Sequence, residues 1–228
     1  IGSEVTFESA AARPQHGTFD SNSNKVVVTY QDSDNSSYGT AIIGTIDDSD
    51  NSISFGSPVV FESAGVDSIS TVFDSSNNKV VIGYRDGGNS YYGTAIVGTV
   101  SGTSISFGSA TTFWANANMG DDIAASFDTN VNKVLITFPK VGNDGVAIAG
   151  TVSGTSISFG TAATFWTTNT PNVVGASFDT NVNKVLFTFS NNSHDGYGIA
   201  GTVSGTSISF GSSHRFETGQ VRFLSNAF

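Results

Sequence analysis

The chain reads as an all-β protein, a β-propeller built from four-stranded antiparallel repeats of about 52 residues. The first observation is a motif: Phe-Asp, four intervening residues, Lys and an apolar run. It recurs at Phe19-Asp20 with Lys25, Phe73-Asp74 with Lys79, Phe127-Asp128 with Lys133 and Phe178-Asp179 with Lys184. A second anchor keeps the same phase, because Ile-Ser-Phe-Gly starts at Ile53, Ile105, Ile157 and Ile208. The third observation concerns burial. After Lys79, residues Val80, Ile82 and Tyr84 point one way while Val81 and Gly83 point the other, so the run has no polar face. A two-sheet sandwich buries one face of each sheet, whereas radially stacked sheets bury both, and one repeat per propeller blade fits that demand.

The second unit shows the strands in order. Strand a spans 68–73 and ends in the turn Asp74-Ser75-Ser76-Asn77-Asn78, whose side chains bond their own backbone and tolerate left-handed conformations. Strand b covers 79–84 and is followed by a polar loop over 85–90. Strand c covers 92–100, the Ser101-Gly102-Thr103 turn reverses the chain, and strand d runs over 104–113. Helices are not expected, since β-branched and aromatic residues dominate and no helical period persists. Small residues in strand a suit a crowded inner edge, and those in strand c let neighbouring blades approach. The units span 14–61, 67–113, 121–165 and 172–216, with a spare d strand over 1–7 and a spare a strand over 222–228. Both ends fall inside a repeat, which predicts a segment of a longer chain, and a spare strand is an edge that another copy can fill.

Composition narrows the function. Charged residues are only 12%, the formal net charge is −10, and 18 Phe supply apolar bulk, a profile of virion-surface or extracellular proteins. No stretch carries the basic patch that nucleic-acid binding needs. No run approaches the roughly 18 apolar residues of a membrane span, so membrane insertion is not expected. Without cysteine there is neither a disulfide framework nor thiolate chemistry. No cofactor is implied.

Asp20, Asp74, Asp128 and Asp179 open equivalent turns rich in Ser, Thr and Asn, and read as structural caps on backbone amides. The repeated lysines are expected to pair with those carboxylates or to pack over the next blade. Loops after strand b differ most between units, and variation on a repeated scaffold is how binding surfaces are built. They supply the candidate ligand contacts Asp32, Asn35, Tyr38, Asp86, Asn89 and Tyr91, Asn, Asp and aromatic groups being suited to sugars. Trp114 and Trp166, at the ends of strand d, join them as indoles able to stack on a sugar ring. Asp32 and Asp34 open like a calcium loop but lack its Gly and closing Glu, so no metal is expected.

The hairpin Thr-Val-Ser-Gly-Thr-Ser-Ile-Ser-Phe at Thr99, Thr151 and Thr202 resembles the Asp-box of sialidase-type propellers, with Phe107, Phe159 and Phe210 where that box has Trp. The Asp of the box is missing, and Arg13, Arg85, Arg215 and Arg222 form no equivalent set, so no catalytic residues carry over and no enzyme is expected. Asn78-Lys79-Val80-Val81-Ile82, the stretch from Tyr92 to Gly108, and Val60-Phe61-Glu62-Ser63 resemble tandem repeats of marine cyanophage virion structural proteins. That resemblance implies a non-enzymatic tail, fibre or surface component, oligomeric with other virion subunits, presenting loops to host or neighbour. The alternative is a secreted lectin-like or fibril-forming adhesin that contacts cell-surface glycans and assembles through edge strands. Residues 125–135 repeat as 176–186 and residues 148–160 as 199–211 without a change, which favours a modular structural role over an asymmetric catalytic centre.

Overall fold

The computed structural model describes residues 4–116, 119–142, 144–168, 171 and 174–222. The spare strand expected over 222–228 lies outside these except for Arg222, as do residues 1–3 and the 172–173 opening of the fourth unit. The strands follow one another as antiparallel meanders. The first comprises β1 (Ala12–Asp20), β2 (Lys25–Asp32), β3 (Tyr38–Asp47), β4 (Ser52–Phe55) and the first part of β5 (Val59–Asp74). The second takes the rest of β5 with β6 (Lys79–Asp86), β7 (Tyr92–Ser101), β8 (Ser104–Phe107) and β9 (Thr111–Trp114). The third is β10 (Ala124–Asp128), β11 (Lys133–Lys140), β12 (Asp144–Ser153), β13 (Ser156–Phe159) and β14 (Ala163–Trp166). The fourth is β15 (Val174–Asp179), β16 (Lys184–Ser190), β17 (Gly196–Ser204), β18 (Ser207–Phe210) and β19 (His214–Glu217).

Local chemistry accounts for the turns. Asp20 Oδ1 accepts from the amides of Asn22 and Ser23 at 2.9 and 3.0 Å, and Asp74 Oδ1 from Ser76 and Asn77 at the same distances. Asp128 Oδ1 holds the Asn130 and Val131 amides, and Asp179 Oδ1 the Asn181 amide at 2.8 Å. Asn24, Asn78, Asn132 and Asn183 close these turns at φ of 56, 52, 55 and 53°, a left-handed conformation that Asn tolerates. Three of the four following lysines bond to threonine and not to the turn carboxylates. Lys25, Lys79 and Lys184 reach across their own sheet to Thr45, Thr99 and Thr202 Oγ1 at 2.9, 2.9 and 2.8 Å, and no described ion pair joins a repeated Lys to a turn Asp. A Thr hydroxyl on the adjacent strand lies within reach of the ammonium, while the Asp oxygens already point into the turn.

Two strands differ from the sequence reading. The outer strand d is two short strands in each meander, broken at Gly56, Gly108, Gly160 and Gly211, whose amides return to Ile43, Val97, Ala149 and Ala200 carbonyls at 2.9–3.0 Å. At Gly108 a Cβ would stand 1.9 Å from the Thr155 carbonyl oxygen, and at Gly56 the same distance from that of Thr103. The Gly of the first three Ile-Ser-Phe-Gly copies, Gly56, Gly108 and Gly160, thus lets the c–d hairpin of the following meander press against the backbone. Strand a of the second unit is no separate element either, for β5 runs unbroken through d of the first unit and a of the second, changing partner from β3 to β6 between Gly65 and Val66. The chain stays in strand there although Ser63, Gly65, Asp67 and Ser68 are turn formers, with the irregularity confined to Ser68 at a φ of 50° and a register shift between Asp67 and Ser70. Residues 4–8 form no ladder, although the Phe7 ring sits 5.4 Å from Tyr30 and 5.7 Å from Phe55.

The core lies between the meanders, not within them. Val27, Ala41, Ile43 and Phe61 pack on Phe73, Val80 and Ile82. Val81, Ala95, Val97 and Phe113 pack on Phe127, Val134 and Val152, and Leu135, Ala147, Ala149 and Phe165 on Phe178, Val185 and Val203. Each meander thus has a front, which meets its predecessor, and a back, which meets its successor. Inner strands are stitched by side chain to backbone bonds: Thr71 N–H to His16 Nδ1 at 3.1 Å, Ala125 N–H to Ser70 Oγ at 3.0 Å, and Val174 N–H to Asp122 Oδ2 at 2.7 Å. Burial lowers the His16 pKa, in keeping with a neutral imidazole that accepts.

Candidate functional site

The continuity of β5 and the loop after β6 together make a cleft of about 390 Å3 between the first and second meanders. Asp86 closes β6 and caps the single 3-10 turn Gly87–Asn89, its Oδ1 accepting from the Gly88 amide at 2.9 Å. Ser90 and Tyr91 then adopt left-handed φ of 56 and 59°, and the Tyr91 amide returns to the Asp86 carbonyl at 2.8 Å. This reversal carries the Tyr91 ring beside Arg85, whose guanidinium carbon is 5.0 Å from the ring centroid. A Cβ at Gly87 would come within 2.5 Å of the Gly65 carbonyl oxygen, so the loop rests directly on β5.

Polar groups converge on the cleft. Gln31, Ser37, Asp67 and Tyr91 line it, with the backbone of Gly65, Gly87 and Gly88. Gln31 Nε2 donates to the Val66 carbonyl. Arg85 Nη1 lies 3.3 Å from Asp67 Oδ1 and also donates to Asp121 Oδ1, while Ser68 Oγ donates to the Asp121 carbonyl at 2.5 Å. Burial raises the Asp67 carboxyl above the ordinary carboxylate range, with Arg85 opposing that rise and Asp121 adding to it. Asp67 Oδ1 has no hydrogen bond beside its ion pair with Arg85 Nη1, and Arg85 Nε is buried without a hydrogen-bond partner among the described residues. Such atoms are costly unless water or a ligand satisfies them. With Tyr91 49% exposed beside them, the cleft offers an aromatic surface, a carboxylate, an amide and a hydroxyl. Among the described residues no three His, Asp or Glu side chains gather to hold a metal ion.

The candidate residues divide between this cleft and other places. Asp32 Oδ1 accepts from the Asn35 amide at 3.1 Å, and the Asn35 carbonyl accepts from the Tyr38 amide at 3.0 Å, which shapes the loop that presents Ser37 to the cleft. Tyr91 lines the cleft, Asp86 shapes it from a buried position, and Asn89 is exposed with its amide 3.5 Å from Thr112 Oγ1. Trp114 and Trp166 sit at the later seams. Trp114 packs 5.3 Å from Phe138, and Trp166 lies 4.9 Å from Phe189 and 4.8 Å from Tyr197. Their positions carry Glu8 and Glu62 at the earlier seams, where Tyr30 and Tyr84 hydroxyls donate to the carboxylates at 3.3 and 3.0 Å. A Tyr–Glu hydrogen bond has thus been exchanged for a Phe–Trp ring contact, both partners together. Gln31, Asp67 and Arg85 were missed as contacts. A signal was available for Gln31 and Arg85, since Gln31, Arg85, Pro139 and Ser190 occupy one ladder position opposite Gly39, Gly93, Gly145 and Gly196 and are all different.

No family model and no curated protein matches the chain. Solved structures do. A mutant of AofleA from Arthrobotrys oligospora, with three arginines changed to alanine, superposes with a TM-score of 0.62 at 9% identity, covering 96% of this chain and 61% of that one. AofleA itself gives 0.54 at 8% identity, covering 89% and 56%. An Asn-to-Gln mutant of the Aleuria aurantia lectin, in complex with Fucα1-6GlcNAc, gives 0.56 at 17% identity, covering 90% and 62%. At these identities the likeness defines the fold, which is all-β and of the β-propeller type. The chain spans about three-fifths of the length of the structures it matches.

Proposed function

We propose that the chain is a non-enzymatic, lectin-like protein in which each meander is one propeller blade, and that the cleft between the first two blades binds a glycan. The cleft carries the reading: an exposed Tyr91 ring stands beside Asp67, Gln31 and Ser37. A sugar presents an apolar C–H face and a rim of hydroxyls, and a half-exposed aromatic ring with a carboxylate, an amide and a hydroxyl complements both. The volume of about 390 Å3 suits one or two sugar rings. Likeness to a lectin solved with a fucosylated disaccharide supports the same reading at the level of fold. Arg85 is already engaged by two carboxylates and the chain carries a net charge of −10, so neutral glycans suit the cleft better than acidic ones. A location on a virion or outside a cell belongs to this proposal on the strength of composition and the cyanophage resemblance, and partnership with virion subunits on that resemblance alone.

A glycan array followed by calorimetric titration tests it. The chain binds a neutral glycan, Tyr91→Ala weakens that binding at least tenfold, and Asp67→Asn weakens it while leaving the thermal midpoint within a few degrees. Absence of binding to any glycan, or binding unchanged in both variants, sinks the reading.

A further inference from the structure

We propose that Arg85 is a positioning residue of the cleft, holding the Tyr91 ring and the Asp67 carboxylate where a glycan meets them, and that Asp121 anchors it from the third meander. A role of this kind rests on the glycan reading of the cleft. Arg85 is not among the residues that line the cleft, and its side chain is 12% exposed. It nevertheless touches two that do. Its guanidinium carbon stands 5.0 Å from the Tyr91 ring centroid, and its Nη1 lies 3.3 Å from Asp67 Oδ1 across the β5–β6 ladder. The same Nη1 donates to Asp121 Oδ1 on the stretch before β10, and Ser68 Oγ ties that stretch to β5 through the Asp121 carbonyl at 2.5 Å. One planar cation thus joins the aromatic and the acidic contact of the cleft to the second seam.

The meander itself does not need the arginine, since Gln31, Pro139 and Ser190 fill the same ladder position in the others. Tyr91 shares its left-handed conformation with Ser37 and His194, which stand at φ of 63 and 61° in the first and fourth meanders. Such a φ is uncommon for a bulky side chain. Asp86 holds only the backbone of the loop, through the Gly88 and Tyr91 amides. The ring has a support of its own: its edge lies 3.6 Å from where a Gly87 Cβ would stand, and the guanidinium covers its face. Charge adds the second half of the role. Among the described residues the charged groups facing Asp67 are Arg85 from β6 and Asp121 from the stretch before β10. Gln31 and Ser37, from the first meander, are neutral, and Asp86 turns its carboxylate into the Gly88 amide. Burial disfavours the Asp67 carboxylate and Arg85 favours it, so the arginine helps to keep the form that accepts hydrogen bonds from sugar hydroxyls.

NMR of the free protein and calorimetric titration with the neutral glycan selected on the array test the role together. Arg85→Met raises the pH at which the Asp67 carboxyl titrates, weakens the nuclear Overhauser contact between the Tyr91 ring and Gly87, and lowers glycan affinity about tenfold at pH 7. Arg85→Lys keeps a cation beside both groups, and so restores the Asp67 titration and part of the affinity. Asp121→Ala, at a side chain 89% exposed, lowers affinity in the native chain but not in Arg85→Met, because its effect passes through the arginine. The proposal is overturned by an Asp67 titration and a Tyr91–Gly87 contact that stay native in Arg85→Met, or by a loss on Asp121→Ala that persists undiminished without the arginine. Tyr91→Ala separates the two readings: binding lost there but native in Arg85→Met removes the positioning role and leaves the glycan site standing. If no glycan on the array binds, the glycan reading falls, and NMR of the free protein still decides whether Arg85 holds Tyr91 and Asp67.

Discussion

Asp122 shows how a single residue can set a pH response. Its carboxylate accepts the Val174 amide at 2.7 Å and the Ile123 amide at 3.0 Å, bonds that favour ionisation, yet burial outweighs them and pushes its pKa up to about 6. A carboxyl harder to ionise in the folded than in the unfolded chain binds more protons when folded between the ordinary value of 3.8 and about 6. Stability contributed by this group is therefore whole below that window and falls as pH rises through it, by about 3 kcal/mol. Asp122→Asn keeps an acceptor for the Val174 amide and removes the charge, so the variant is expected to unfold at higher denaturant than the native chain at pH 8 and to match it near pH 4. Urea unfolding at the two pH values checks this, and equal midpoints at pH 8 would contradict it.

At the scale of elements, the seams explain why the two tryptophans are where they are. Trp114 at the end of β9 and Phe138 in β11 occupy the places that Glu62 and Tyr84 hold one seam earlier. Trp114→Glu alone sets a carboxylate against a phenyl ring with no hydroxyl to meet it, and is expected to cost about 3 kcal/mol. Phe138→Tyr in the same chain restores the partner and is expected to recover about 1 kcal/mol or more, where Phe138→Tyr alone is neutral or destabilising. A double-mutant cycle by denaturant unfolding measures this, and an additive cycle would remove the exchange from the account. Such pairing was legible only as two isolated facts in the chain, a Trp where other units have Glu and a Phe where they have Tyr. That the two positions touch depends on d of one meander crossing over b of the next.

Over the whole molecule the same motif has different consequences at different places. Gly108 and Gly211 both end Ile-Ser-Phe-Gly, but a Cβ at Gly108 would collide with the hairpin of the third meander, while at Gly211 the nearest neighbour is the Ala200 carbonyl at 3.7 Å. Gly108→Ala is expected to destabilise by about 3 kcal/mol, and Gly211→Ala by less than about 1 kcal/mol in a monomer. Thermal unfolding at low concentration compares them. Equal loss in both would mean that the contact with a following meander is not what the glycine serves.

Strand identity, turn position and repeat phase were readable from the chain because they depend on neighbours in sequence: Asp and Asn in the a–b turns, Gly in the c–d hairpins, β-branched runs between them. Burial on both faces of strand b was readable too, since a run without a polar face has no solvated side. The split of strand d, the continuity of β5 and the turn of the lysines toward threonine were not, because each is settled by atoms of another strand or of the next meander. The cleft lay equally out of sight. Tyr91 and Asp86 were visible as loop residues of sugar-binding chemistry, and Asp67 and Arg85 face each other across the β5–β6 ladder, but Gln31 joins them only when one meander leans on another. Local hydrogen bonding writes itself into sequence spacing, whereas contacts between units, where this protein keeps its core and its cleft, exist only once the meanders are stacked.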